Sequence, residues 1–200
     1  MAQDPVLFLF TDYACPWCYL GRARLKKVKA RPLAVRTIHF PLSPDTPAEG
    51  RQIRPYLKSR GMDVDAAMAR LKALMDIEGL AWSVDPEKMA WNTRRAQELA
   101  AWAEPLVGEA VHDALFHAYQ VDGKNISDVE VLAAIAVELG LDAAEARAVL
   151  TEGRMKARID QDWTHARQVG VTSVPTYVMG QKGVVGAQSI EVLERLVASA

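Results

Sequence analysis

Two cysteines, the only ones in a chain of 200 residues, stand two apart as Cys15-Pro16-Trp17-Cys18, directly behind an apolar run. That spacing places both sulfurs in the first turn of one helix, close enough to close a small disulfide ring. The run before them, Val6-Leu7-Phe8-Leu9-Phe10, has the length and composition of a strand covered on both faces. A lone C-x-x-C behind a strand reads as a redox pair. The unpaired N–H groups and the dipole of a helix N-terminus favour negative charge, so a thiol there ionises below the free-thiol reference of about 8.5. Cys15 is thereby the candidate nucleophile and Cys18, one turn deeper, the candidate resolving thiol. Pro16 and Trp17 carry no ionisable group to tune Cys15; Trp17 is expected to lay an apolar surface beside the sulfur.

The flanking sequence supports a parallel crossover unit. A helix is expected from Pro16, since proline suits a first helical position, with Leu20, Leu25 and Val28 as its apolar stripe. Pro32 should end it, and residues 33–40 alternate as a second strand, completing strand, helix, strand. Pro41, Pro44 and Pro47 then break regular structure. From about residue 52 to 168 the pattern is helical, with helices expected over 52–60, 65–78, 86–103, 105–121, 128–139, 142–152 and 154–168. Asp85-Pro86 reads as a cap before a first-turn proline, and Ser127-Asp128-Val129-Glu130 as a capping box. Gly61, Gly79, Gly123, Gly140, Gly153 and Gly170 follow helical patterns as C-terminal caps do. Strand chemistry returns at residues 174–179, with a turn over 180–183, a partner strand at 184–186 and a closing helix over 189–198.

Composition removes several functions. Lys+Arg 24 against Asp+Glu 25 leaves a formal charge of -1, which points to neither nucleic acid nor an anionic membrane as partner. The first residues lack a basic n-region, and the run at 6–10 is too short for a signal-peptide core or a spanning helix. A cytoplasmic location is expected, and in that reducing compartment a single C-x-x-C cycles more readily than it staples a fold. Structural zinc wants four ligands at recognisable spacings, and His39, His112, His117 and His165 form no such pattern with the cysteines, so no metal is expected. The histidines read as surface or core groups, and Asp12 as a turn residue at a strand end.

Four segments in order resemble the DsbA family, and within it the FrnE-like dithiol oxidoreductases. Residues 12–21, Asp-Tyr-Ala-Cys-Pro-Trp-Cys-Tyr-Leu-Gly, look like that subgroup's D-x-x-C-P-W-C-Y-L-G. Asn92-Thr93-Arg94-Arg95-Ala96 is similar to its N-T-x-x-A, residues 170–177 to its G-V-x-x-V-P-x-F/Y, and residues 185–188 to its closing V-x-G-A-Q. The resemblance implies an α/β, thioredoxin-like fold with a large all-helical insertion, residues 1–50 and 154–200 forming the thioredoxin-like domain and 51–153 a helical lid. It also implies that Pro175 is cis beside the thiols, that the Val174 backbone pairs with an extended substrate, and that Asn92 and Thr93 line the substrate side together with Pro16 and Trp17. Two departures stand out. Gln97 occupies the place where relatives often have His, and the second cysteine pair of some relatives is missing.

The function expected is thiol-disulfide exchange with a disulfide- or dithiol-containing protein, peptide or small molecule. No bound cofactor is expected, and glutathione is the candidate redox partner. Kappa-class glutathione transferases and 2-hydroxychromene-2-carboxylate isomerases share the implied fold but typically carry Ser at the position of Cys15, against which a complete C-P-W-C argues. A redox-sensing binding or chaperone-like module is the third reading. Sequence sets neither the direction of exchange nor the oligomeric state.

Overall fold

The computed structural model describes residues 6–29, 34–83, 85 and 87–199. In chain order the elements begin β1 (Val6–Thr11), α1 (Pro16–Leu25), β2 (Ala34–His39), β3 (Arg51–Gln52), α2 (Ile53–Ser59), α3 (Val64–Glu78) and β4 (Met89–Ala90). They continue α4 (Arg94–Val107), α5 (Ala110–Gln120), α6 (Val129–Glu138), α7 (Ala143–Glu152), α8 (Lys156–Gln168), β5 (Thr176–Met179), β6 (Lys182–Val185) and α9 (Ile190–Ala198). The chain divides into two compact units, Met1–Leu42 with Asp162–Ala200, and Ser43–Gln161. The sequence had put these boundaries after residues 50 and 153.

The first unit holds a four-stranded sheet of order β2-β1-β5-β6. β1 runs parallel to β2 and antiparallel to β5, so the crossover through α1 is the one the sequence called for. Side chains alternate across a strand, and both faces of β1 are apolar, which is why its run is continuous. Leu7 and Leu9 join Tyr177, Met179, Leu25 of α1 and Leu193, Leu196 and Val197 of α9 on one face. Phe10 packs with Ile38 and Ala166 of α8 on the other, together with Phe8 and Val178. Fully burying one such side chain stabilises by about 1.5–3 kcal/mol, so this central strand anchors the segment that leads into the cysteines.

The second unit is helical apart from the short ribbon β3–β4, where Arg51 pairs with Ala90 and Gln52 with Met89. That ribbon corrects the helix expected over 86–103, which begins only at Arg94. The Asp85 carboxylate accepts the Glu87 N–H at 2.8 Å in a turn; Pro86 lies outside the described residues. The break expected at Pro105 also moves. Pro105 sits inside α4, which continues to Val107 and stops at Gly108, with φ at 63°. α6 is capped by Asp128 accepting from Glu130 and Val131, not by Ser127, whose hydroxyl donates to Asn125. The six glycines expected as caps all have positive φ.

In the first unit α1 stops at Leu25, and the Pro32 and Leu33 readings lie outside the described residues. The hairpin is tighter than expected: Met179 pairs with Lys182 across the two residues Gly180-Gln181, and β6 starts at Lys182. Among the described residues no helix is long and apolar enough to cross a membrane.

Candidate active site

β1 reaches the cysteines through a turn organised by Asp12. Its Oδ1 accepts the Ala14 N–H at 2.8 Å, its Oδ2 the Leu42 N–H at 3.3 Å, and its backbone carbonyl the Cys15 N–H at 3.1 Å. Asp12 is fully buried, so these hydrogen bonds offset the cost of removing a carboxylate from water. The turn delivers Cys15 as the N-cap of α1, with φ -86° and ψ 109°. Its carbonyl takes the Cys18 and Tyr19 N–H groups, and its Sγ accepts the Cys18 N–H at 3.3 Å. Sulfur thus fills the place a Ser or Asp oxygen fills at most helix starts. Pro16 follows at the first helical position, where its missing N–H costs nothing.

Both cysteines are free thiols, 4% and 1% exposed. The Val174–Pro175 bond is cis, and the Cys15 thiol donates to the Val174 carbonyl at 3.6 Å. The loop carrying Val174 is held in turn: Thr176 Oγ1 donates to the Ser173 carbonyl at 2.7 Å, and the Gly186 N–H to the Pro175 carbonyl at 2.7 Å. Residues 159 apart in sequence are thereby brought to one sulfur.

α1 lies against β5 with no room to spare at Gly21. A Cβ built there would stand 2.2 Å from Tyr177 Oη and 3.1 Å from Pro175 Cγ. Arg24, a turn further along, donates to the Ala187 and Gln188 carbonyls at 2.9 and 3.3 Å and fastens the helix to the segment before α9. Desolvation pushes Cys18 well above the ordinary thiol range, and Cys15 adds to the push by hydrogen bond and charge. The Asp12 backbone and the Thr11 side chain pull the other way, more weakly. Tyr177 is also pushed up, by burial first and then by Cys18 and Cys15.

Asn92 and Thr93 belong to the helical unit. The Asn92 amide donates to the Pro44 and Thr46 carbonyls at 3.2 and 3.0 Å, and its oxygen accepts the Arg94 N–H at 2.9 Å. Gln97, fully buried, donates to Thr93 Oγ1 at 3.3 Å. Among the described residues the one cluster of metal-ligand type, Glu104, Glu109 and His112, contains neither cysteine.

Sequence reasoning passed over one buried network. Asp162 Oδ2 accepts both the backbone N–H and Nδ1 of His39, at 3.2 and 3.0 Å, and His39 Nε2 lies 3.3 Å from the Tyr13 hydroxyl. Asp162, His39 and Tyr13 thus form one buried chain that ends two residues before Cys15. His39 reads as a plain strand-end residue, and its partner is 123 positions away, so no local pattern announces the pair.

A strand, a C-x-x-C at the head of the following helix and a proline loop facing the sulfur define a thioredoxin-like redox site. The profile of the DSBA-like thioredoxin domain matches residues 6–198. A crystal structure of a probable DsbA oxidoreductase from Streptomyces coelicolor superimposes with a TM-score of 0.89 at 31% identity, covering 98% of this chain and 89% of that one. The chain therefore belongs to the DSBA-like thioredoxin family, and it is an enzyme of the oxidoreductase or isomerase kind. Two more distant structures share the fold. One is a 2-hydroxychromene-2-carboxylate isomerase, with TM-score 0.75, 20% identity and coverage of 97% and 95%. The other is the cytosolic disulfide reductase DsbM from Pseudomonas aeruginosa, with TM-score 0.70, 18% identity and coverage of 97% of each chain; it is also known with GSH.

Proposed function

We propose that this protein is an FrnE-like thiol-disulfide oxidoreductase that cycles Cys15-Pro16-Trp17-Cys18 between dithiol and disulfide. The Cys15 thiolate attacks a substrate disulfide, forming a Cys15–substrate disulfide as one substrate thiolate leaves. Cys18, deprotonated, then attacks Cys15 Sγ, closing the Cys15–Cys18 bond and releasing the second substrate thiolate. Two electrons pass from the pair to the substrate, and the two thiol protons end on the substrate sulfurs. The reverse sequence oxidises a dithiol.

The observation that carries this reading is the setting of Cys15: an N-cap sulfur that receives the Cys18 N–H and lies 3.6 Å from the Val174 carbonyl. The backbone at Val174 supports a substrate strand added beside Pro175, where main-chain hydrogen bonds give affinity without sequence preference. Pro16 and Trp17, both part-exposed, supply the apolar rim. A disulfide or dithiol in a protein, peptide or small molecule is the substrate class. DsbM, described as cytosolic and known with GSH, supports glutathione as redox partner and a cytoplasmic setting.

Trapping tests the assignment. With oxidised glutathione, Cys18→Ala should accumulate one glutathione on Cys15, Cys15→Ser none, and the wild type should pass on to the intramolecular disulfide. A Cys15→Ser protein with full activity against a model disulfide would sink the reading. Tight glutathione binding by a wild type that never forms the internal disulfide would instead favour glutathione-dependent isomerisation.

A further inference from the structure

Resolution of the mixed disulfide requires a thiolate at Cys18, the place in this site least suited to one. Cys18 is 1% exposed, and burial holds its proton on. An anion buried there needs hydrogen-bond donors that the neutral dithiol leaves idle.

The sheet beneath α1 offers two. Leu9 and Thr11 project from the same face of β1, and Tyr177 is the cross-strand partner of Leu9, so all three side chains point to the face that Leu25 of α1 covers. Thr11 Oγ1 and Tyr177 Oη are both buried; among the described residues Tyr177 Oη has no hydrogen-bond partner, and Thr11 Oγ1 has none but the Cys18 sulfur. A buried hydroxyl left unpaired is unfavourable by itself and asks for a reason. Position supplies one. Tyr177 Oη rests against Gly21, one turn after Cys18 on the same face of α1, as the 2.2 Å approach to a Gly21 Cβ shows. Thr11 ends the strand that feeds the cysteine turn, and its side chain favours the charged form of Cys18.

We infer that the Thr11 and Tyr177 hydroxyls are the donors that stabilise the Cys18 thiolate during resolution, Thr11 already beside the sulfur and Tyr177 unpaired in the dithiol, so that both can turn to the charge when it forms. The inference rests on the reading of Cys15 and Cys18 as a redox pair. In the step concerned, Cys18 loses its proton and its sulfur lone pair forms the bond to Cys15 Sγ. The Cys15–substrate bond breaks, and the departing substrate thiolate takes up a proton. Both hydroxyls lose the anion when the disulfide closes. The titratable or charged groups that face them among the described residues are Cys15 at the helix cap, Arg24 on α1, and His39, the strand partner of Thr11 on β2; Asp12 acts through its backbone.

The test uses 5,5′-dithiobis(2-nitrobenzoate) on the reduced full chain. Attack by Cys15 releases one thionitrobenzoate and leaves the second on Cys15; Cys18 then displaces it in a slower phase. Removing a hydrogen bond to a charged group should slow that second phase about tenfold to hundredfold in Thr11→Val or Tyr177→Phe, and raise its pH midpoint by about one unit. The first phase should stay within about twofold, and Thr11→Ser should restore the second. Thr37→Val is the control: Thr37 Oγ1 is also buried, without a partner among the described residues, but does not act on Cys18, so the second phase should not change. If the wild type releases only one thionitrobenzoate, the redox reading itself fails. If it releases two, and Thr11→Val and Tyr177→Phe match its second phase in rate and pH midpoint, the redox reading stands and the hydroxyls have no such role.

Discussion

Gly21→Ala is a substitution that ordinary helix propensity and this structure judge with opposite signs. In an open helix the change gains about 0.8–1 kcal/mol, because glycine loses more backbone entropy than alanine on becoming helical. Here the new Cβ would stand 2.2 Å from Tyr177 Oη and 3.1 Å from Pro175 Cγ. Tyr177 is fully buried and sits in a β-strand, so its ring cannot swing away as an exposed side chain would. Overpacking of this kind costs about 1–3 kcal/mol, and at so short an approach the upper part of that range applies. The net expectation is a loss of about 1–2 kcal/mol. Tyr177→Phe removes the oxygen and leaves ring carbon Cζ at 3.5 Å, an ordinary contact. In that background Gly21→Ala should be neutral or mildly stabilising, because the propensity gain then faces only the Pro175 contact. The double-mutant cycle should return a coupling of about 2 kcal/mol between positions 21 and 177. Urea unfolding followed by tryptophan fluorescence gives all four midpoints. A Gly21→Ala effect of the same size and sign in both backgrounds would refute the close approach of α1 to Tyr177.

Tyr177→Phe alone should raise stability by about 1 kcal/mol while slowing resolution, since it deletes a buried hydroxyl with no partner; a loss of stability in urea would mean the oxygen has one. Asp162→Ala should cost about 2–4 kcal/mol, because it strands the His39 N–H and Nδ1 away from water, and a change under about 0.5 kcal/mol would deny the network a structural role. Lys88 is largely buried with its Nζ 4.2 Å from the centre of the Tyr119 ring, and burial pulls its pKa down to about 8 from 10.5. The folded state then sheds a proton that the unfolded chain keeps, so stability rises with pH between about 8 and 10.5. Lys88→Met should flatten that rise and, net of the lost ring contact, gain about 1–2 kcal/mol at pH 7. Thermal melts from pH 7 to 10 check both parts, and an unchanged slope would contradict the assignment.

The parts of the fold written locally were legible. β1 announces itself by five consecutive apolar residues, and α1 by Pro16 and the C-x-x-C spacing, because a strand buried on both faces and a helix start each depend on near neighbours. The parts decided by distant partners were not. Met89 and Ala90 form a strand only because Arg51 and Gln52 lie beside them, so the helix start at residue 86 was misplaced. Pro105 looked like a boundary, yet α4 carries it within its last turn and the αL-capable Gly108 ends the helix instead. Asp128 won the cap from Ser127 because Asn125 engages the Ser127 hydroxyl. At the site, Cys15, Cys18 and Pro175 are visible as motif residues. The buried hydroxyls of Thr11 and Tyr177 on one sheet face depend on strand register, and the Asp162–His39 pair on the packing of α8, neither of which leaves a local trace.

The redox couple itself is best tested by equilibrating the reduced protein in buffers of stepped glutathione to glutathione disulfide ratio, quenching with acid and counting alkylated thiols by mass. The account predicts one transition in which Cys15 and Cys18 lose their alkylation together, as the pair passes from dithiol to internal disulfide, with its midpoint giving the reduction potential and hence the direction of exchange. A protein that keeps Cys18 alkylated at every ratio, or that ends as a stable glutathione adduct on Cys15, would contradict it.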